Sequence, residues 1–232
     1  MQRTKIEWAD YTWNPIKGIC PVGCWYCYAR RMYQRFGWDP KIILDREELF
    51  KPYNIKKPSK IFLCSTFELF CSPKMSVEAK IKSTTITDIP VLHAIFGVIK
   101  NNPQHTFQIL TKLPQNIDRP MPDNVWLGVT VTMGKDLGRV KDLYDSSARI
   151  KFISLEPLLA DIEVCTQYAA FEKIDWVIIG RLTGYGKKYD PDLNGVANIV
   201  RLCADLKIPV FLKNNLKEIW GEPLIQEFPC VG

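Results

Sequence analysis

Asp175-Trp-Val-Ile-Ile179, Asp192-Leu-Asn-Gly-Val-Ala-Asn-Ile-Val-Arg-Leu-Cys-Ala-Asp-Leu-Lys207 and Val210-Phe-Leu212 together set the fold class. The first and last runs are short and apolar, with turn or polar residues at their borders, as buried strands require. The middle run has helical periodicity. Leu193, Val196, Ile199, Val200, Cys203 and Leu206 fall on one face, behind an Asp at the start. Strand, helix and strand in this order place two parallel strands side by side through a crossover.

The same alternation extends back along the chain. Lys5–Trp8, Lys60–Cys64, His105–Leu110, Val125–Val131 and Arg149–Ser154 are predicted strands. Tyr28–Phe36 and Asp88–Lys100 are predicted helices, the second with an Asp cap and a Pro in its first turn. Two α/β architectures fit this pattern: a (β/α) barrel and an open doubly wound sheet. In both, functional residues gather at the C-terminal ends of the strands. A chain of 232 residues with 47% hydrophobic and 24% charged residues is expected to form a single domain, 1–232. No apolar run is long enough for a membrane span, and the N-terminus lacks a secretory apolar core. No membrane association and a cytoplasmic location are therefore expected. The net charge of +6 favours an anionic partner such as nucleic acid, or is simply a lysine-rich solvated surface.

Eight cysteines are present, and three of them cluster in Gly18-Ile-Cys20-Pro-Val-Gly-Cys24-Trp-Tyr-Cys27. A disulfide framework belongs to small secreted domains, so clustered thiols here point to a metal. Four thiolates close a tetrahedral zinc site. Three leave one position of an iron–sulfur cubane open for chemistry. Zinc stays available as a reading if Cys64, Cys71 or His93 supplies a fourth ligand. Cys165, Cys203 and Cys230 are scattered, and Cys203 is expected in the core.

The C-x3-C-x2-C spacing, with Tyr26 directly before the third cysteine, resembles the signature of the radical S-adenosylmethionine (SAM) superfamily. The segments Thr4–Trp8, Thr12–Pro15, Cys24–Ala29, Phe107–Lys112, Val125–Thr130, Ser154–Leu158, Ile174–Ile178 and Glu227–Pro229 resemble the phage-type Gp37/Gp68 radical SAM-like family across nearly the whole chain. The resemblance implies a partial (β/α)6 TIM-like barrel. It implies a 4Fe–4S cluster on Cys20, Cys24 and Cys27, with SAM on the fourth iron and Tyr26 near the cofactor. An electron donor such as flavodoxin or ferredoxin would feed the cluster. SAM cleavage would then give a 5′-deoxyadenosyl radical that abstracts hydrogen. The positive balance and the phage-type resemblance point to a nucleic-acid base or nucleotide as substrate. Two other classes remain: a non-catalytic metal-binding nucleic-acid module and a four-ligand electron-transfer protein.

The strand ends supply the other candidates. Relatives carry a Gly-Gly-Glu-like turn after strand two; here Ser65-Thr66-Phe67-Glu68 follows, without the glycines. Ser65, Thr66 and Phe67 offer backbone groups to SAM, and Glu68 either faces the site or is a surface charge at a helix start. Lys112, after strand three, either holds a carboxylate or is solvated. Thr130 and Thr132 share a face, and either hydroxyl contacts the ribose or belongs to core packing or a turn; Ser154 and Glu156 also share a face. Glu156 either contacts ribose or substrate or forms a structural ion pair. Gly180 and Arg181 follow strand six; the glycine lets backbone approach the cofactor, and the guanidinium fork suits a phosphate or carboxylate. Lys213 and Asn214 end the last strand.

Overall fold

The computed structural model describes residues 1–72, 76–81, 84–163 and 168–230. Cys165 lies outside them. The chain divides into two compact units, Met1–Trp126 and Leu127–Gly232. Both are mixed α/β, and the main-sheet strands of each are mostly parallel.

The first unit contains β1 (Gln2–Arg3), β2 (Tyr11–Trp13), β3 (Ile16–Lys17), α1 (Tyr28–Phe36), β4 (Ile43–Asp45), α2 (Arg46–Leu49), β5 (Lys60–Leu63), β6 (Ser76–Ile81), β7 (Thr84–Pro90), α3 (Val91–Lys100) and β8 (Thr106–Thr111). The main sheet runs β1-β2-β5-β8. β2 pairs parallel with β5, and β5 with β8, in the register Trp13↔Leu63 and Leu63↔Ile109. β1 is antiparallel to β2. Ile61, Leu63, Phe107 and Ile109 are buried, as strands covered on both faces must be. Each such side chain contributes roughly 1.5–3 kcal/mol by leaving water. A second sheet, β3-β4-β6-β7, had no counterpart in the sequence reading.

Two sequence expectations fail here for local reasons. Lys5–Trp8 is a turn and not a strand: Thr4 Oγ1 accepts from the Ile6 N–H, and Ala9 N–H donates to the Ile6 carbonyl. The hydroxyl offers the backbone an alternative to a sheet ladder. The helix expected from Asp88 starts at Val91, because 84–90 pairs antiparallel with β6 and Pro90 occupies the cap position.

β9 (Val125–Thr130) crosses the division between the units. The second unit continues with α4 (Gly138–Tyr144), β10 (Ile150–Leu155), β11 (Trp176–Ile179), α5 (Leu193–Asp205), β12 (Val210–Leu212) and α6 (Lys217–Trp220). The strand order is β9-β10-β11-β12, with β10–β11 and β11–β12 parallel. The decisive stretch of sequence is β11-α5-β12. Asp192 caps α5 by accepting from the Gly195 N–H. Val196, Ile199, Leu202 and Cys203 are buried, whereas Leu193 in the first turn is 41% exposed. Gly128 is a glycine because a Cβ there would sit 2.3 Å from the Phe152 ring.

Candidate functional site

The parallel register of β2, β5 and β8 brings their C-terminal ends to one edge of the first unit, where α/β proteins place ligands. Asn14 follows β2, Cys64–Glu68 follow β5, Thr111 ends β8 and Lys112 follows it. The side chains there are bonded together. Ser65 and Thr66 hydroxyls lie 3.2 and 3.4 Å from Asn14 Oδ1. Cys64 N–H donates to the Trp13 carbonyl at 2.8 Å. Cys64 has φ +56, the left-handed conformation that glycine adopts without strain. The backbone form of a glycine turn is thus present although the glycine is not.

Glu68 is buried rather than a surface charge. Its carboxylate accepts from Thr111 Oγ1 at 2.6 Å, Lys112 N–H at 2.8 Å and Phe70 N–H at 3.2 Å. Three donors satisfy a buried charge that would otherwise be costly.

The cysteine loop is fastened over this edge. Cys27 is the N-cap of α1, its sulfur accepting from the Arg30 N–H at 3.5 Å. Arg30 also donates to the Cys20 carbonyl at 2.8 Å. Tyr28 Oη donates to the Ser65 carbonyl at 3.2 Å, tying α1 to the turn after β5. The Cys20 thiol is pushed up by burial, partly offset by hydrogen bonds from the backbone of Val22 and Glu68. Cys20, Cys24 and Cys27 carry free thiols and line one cavity of about 100 Å³. Cys64, Ser65, Thr66, Phe67, Glu68 and Lys112 line the same cavity.

The possible fourth ligands divide. Cys64 lines the cavity, and burial pushes its thiol far up. Cys71 is raised to about 11 by burial first, then by Cys20 and Glu68. His93 is exposed on α3. Among the described residues, no three Cys, His, Asp or Glu side chains form a group that would hold a single metal ion. Tyr26 packs edge-on against Trp25, with ring centroids 5.5 Å apart. Trp8 and Trp13 are core residues.

The remaining candidates lie in the second unit. Glu156 makes an ion pair with Lys213, its carboxylate side chain 25% exposed and Lys213 14%. Both lie against Gly180, where an added Cβ would come within 3.1 Å of Lys213 Cδ and 3.2 Å of Glu156 Cδ. Arg181 is engaged internally: its guanidinium donates to Asp190 at 3.3 Å and to Glu218. Its backbone is bracketed by the Asn215 amide. Thr130 and Ser154 are buried within their strands, and Thr132 donates to Asp136.

Sequence reasoning missed Asn14, Val22, the Arg30–Cys20 bond and the cavity-lining role of Cys64. Asn14 and Val22 sit in stretches named above and Arg30 in the predicted helix Tyr28–Phe36, but their partners are fixed only by the fold.

The first unit is thus an α/β scaffold with a thiol-lined cavity at the ends of parallel strands. Residues 3–224 match the model of a family described as "Protein of unknown function (DUF5131)", and the chain belongs to that family. No curated protein and no solved structure matches it.

Proposed function

We propose that the chain is a radical SAM enzyme, with a 4Fe–4S cluster on Cys20, Cys24 and Cys27. The observation that carries this reading is the cavity shared by three free thiols, the β5 turn and Lys112. The donor set fits a cubane better than a zinc ion. In a cubane each thiolate takes its own iron, so the sulfurs need access to one space, not convergence on one point. When bound, the cluster would supply an electron for cleavage of SAM.

The chain's own residues have separable tasks. The N–H groups of Arg30, Val22 and Glu68 point at the Cys27 and Cys20 sulfurs, and such hydrogen bonds tune cluster potential. Glu68 fixes the β5 and β8 ends through Thr111 and Lys112, holding the cavity walls together. Lys112 lines the cavity as a compact cation suited to a carboxylate. Phe67 supplies an apolar wall. The partial barrel belongs to the same proposal and is supported by the parallel strands of each unit.

The test is iron and sulfide content after anaerobic reconstitution. Wild-type protein should bind about four irons with matching sulfide. Cys20→Ala, Cys24→Ala and Cys27→Ala should each lose most of it. Full iron content in these variants would overturn the reading.

A further inference from the structure

From Tyr11 to Trp38 the sequence holds Lys17, Arg30, Arg31 and Arg35 and no acidic residue. Within that stretch α1 buries only Ala29. Tyr28, Arg31 and Arg35 recur at helical spacing on its exposed side. Gly37 has φ +60 at the C-cap and donates to the Tyr33 carbonyl. This left-handed residue turns the chain back, so that Trp38 stacks on Phe36 with centroids 5.3 Å apart and planes at 23°. Trp38 also meets Tyr33 edge-on at 5.3 Å, and the Arg35 guanidinium lies 5.3 Å over the Phe36 ring.

These rings are not core. Trp25, Tyr28, Phe36 and Trp38 are 55%, 49%, 54% and 47% exposed. Four large aromatic side chains at this exposure within fourteen residues are costly in water unless a partner covers them. The patch is joined to the cysteine loop, since Cys27 caps α1 and Arg30 grips the Cys20 carbonyl.

We infer that this face binds single-stranded nucleic acid, with bases stacked on the Phe36–Trp38 platform and phosphates on Arg31 and Arg35. The basic excess of this stretch, which is flanked by Asp10 and Asp39, fits a polyanion. Exposed rings beside arginines serve bases and phosphates at once, and an acidic protein in their place is an outcome the titration separates. Stacking on the exposed Trp38 ring requires unpaired bases, so a duplex is the wrong occupant. As a binding face the inference stands on this geometry. As an assignment of substrate it rests on the proposed function and deepens it, because the bound strand would lie along the helix that Cys27 caps.

The experiment is a fluorescence-anisotropy titration of the full chain, as purified, with a labelled oligonucleotide of about 15 nucleotides. Single-stranded DNA, single-stranded RNA and a blunt duplex are compared across salt. Binding to a single strand should exceed binding to duplex and weaken steeply with salt. Trp38→Ala should weaken it about tenfold or more. Arg35→Glu should weaken it and flatten the salt slope by about one. Trp38→Phe and Arg35→Lys should restore most of the affinity, which separates recognition from folding. Unchanged affinity in both Trp38→Ala and Arg35→Glu, equal duplex binding, or preference for an acidic protein over the oligonucleotide would overturn the inference. The titration needs neither iron nor SAM, so it and the iron count can fail independently.

Discussion

Thr111 Oγ1 donates a 2.6 Å hydrogen bond to Glu68 Oε1, closing the ends of two neighbouring parallel strands over the thiol-lined cavity. The other carboxylate oxygen takes the Lys112 N–H, and Oε1 also takes the Phe70 N–H. Glu68→Gln keeps the shape but removes the charge and sets an amide N–H2 against one of these donors. We expect a loss of about 2 kcal/mol in urea denaturation, together with reduced iron loading. Wild-type stability in the variant would show that the network holds nothing together.

Cys64 gives a test with an unusual sign. At φ +56 a Cβ costs energy that glycine avoids. Alanine keeps that cost and loses the thiol, whereas glycine loses both. Cys64→Gly should therefore be more stable than Cys64→Ala by about 1 kcal/mol, the reverse of the order found within ordinary strands. Thermal or urea unfolding of the pair reads it directly, and an alanine variant more stable than the glycine one would contradict the assigned backbone.

Glu156 and Lys213 are coupled over Gly180 in the second unit. Removing one partner leaves the other partly buried charge uncompensated, whereas removing both does not. Glu156→Gln should cost about 1–2 kcal/mol, and Glu156→Gln with Lys213→Met should recover most of it. A double variant as unstable as the sum of the single ones would show that the pair is not energetically coupled.

His105 links stability to pH. Desolvation lowers its pKa, partly offset by the Pro52 and Ile55 backbone. In the unfolded chain it takes a proton near the usual pH of about 6.5, while the folded ring stays neutral to lower pH. Its contribution is intact above the unfolded pKa and is lost as pH falls through it toward the folded value. Between about pH 8 and pH 5, His105→Gln should lose less stability than wild type in urea titrations. An equal loss would mean that the ring titrates alike in both states.

The strands β5 and β8–β12 and the clearest helices were legible because their information is local. β11-α5-β12 carries its own periodicities and its Asp192 cap, and Tyr28–Phe36 has the predicted bounds. The β3-β4-β6-β7 sheet was not legible. β3 and β4 are two and three residues long, and their pairings, such as Ile16↔Leu44 and Ile43↔Glu78, join distant segments. The same limit applies to the site. The cysteine spacing is visible in eight residues, but the Glu68 partners lie 43 and 44 positions away and the Cys20–Arg30 bond crosses a loop. Arg181 looked available because Asp190 and Glu218 become its partners only in the folded unit.

The most direct test of the central claim is deoxyadenosine formation by the anaerobically reconstituted protein with dithionite and SAM. Wild type carrying about four irons should yield 5′-deoxyadenosine, and Cys20→Ala, Cys24→Ala and Cys27→Ala should yield none. Stoichiometric zinc in place of iron, with no SAM binding and no deoxyadenosine, would contradict the claim.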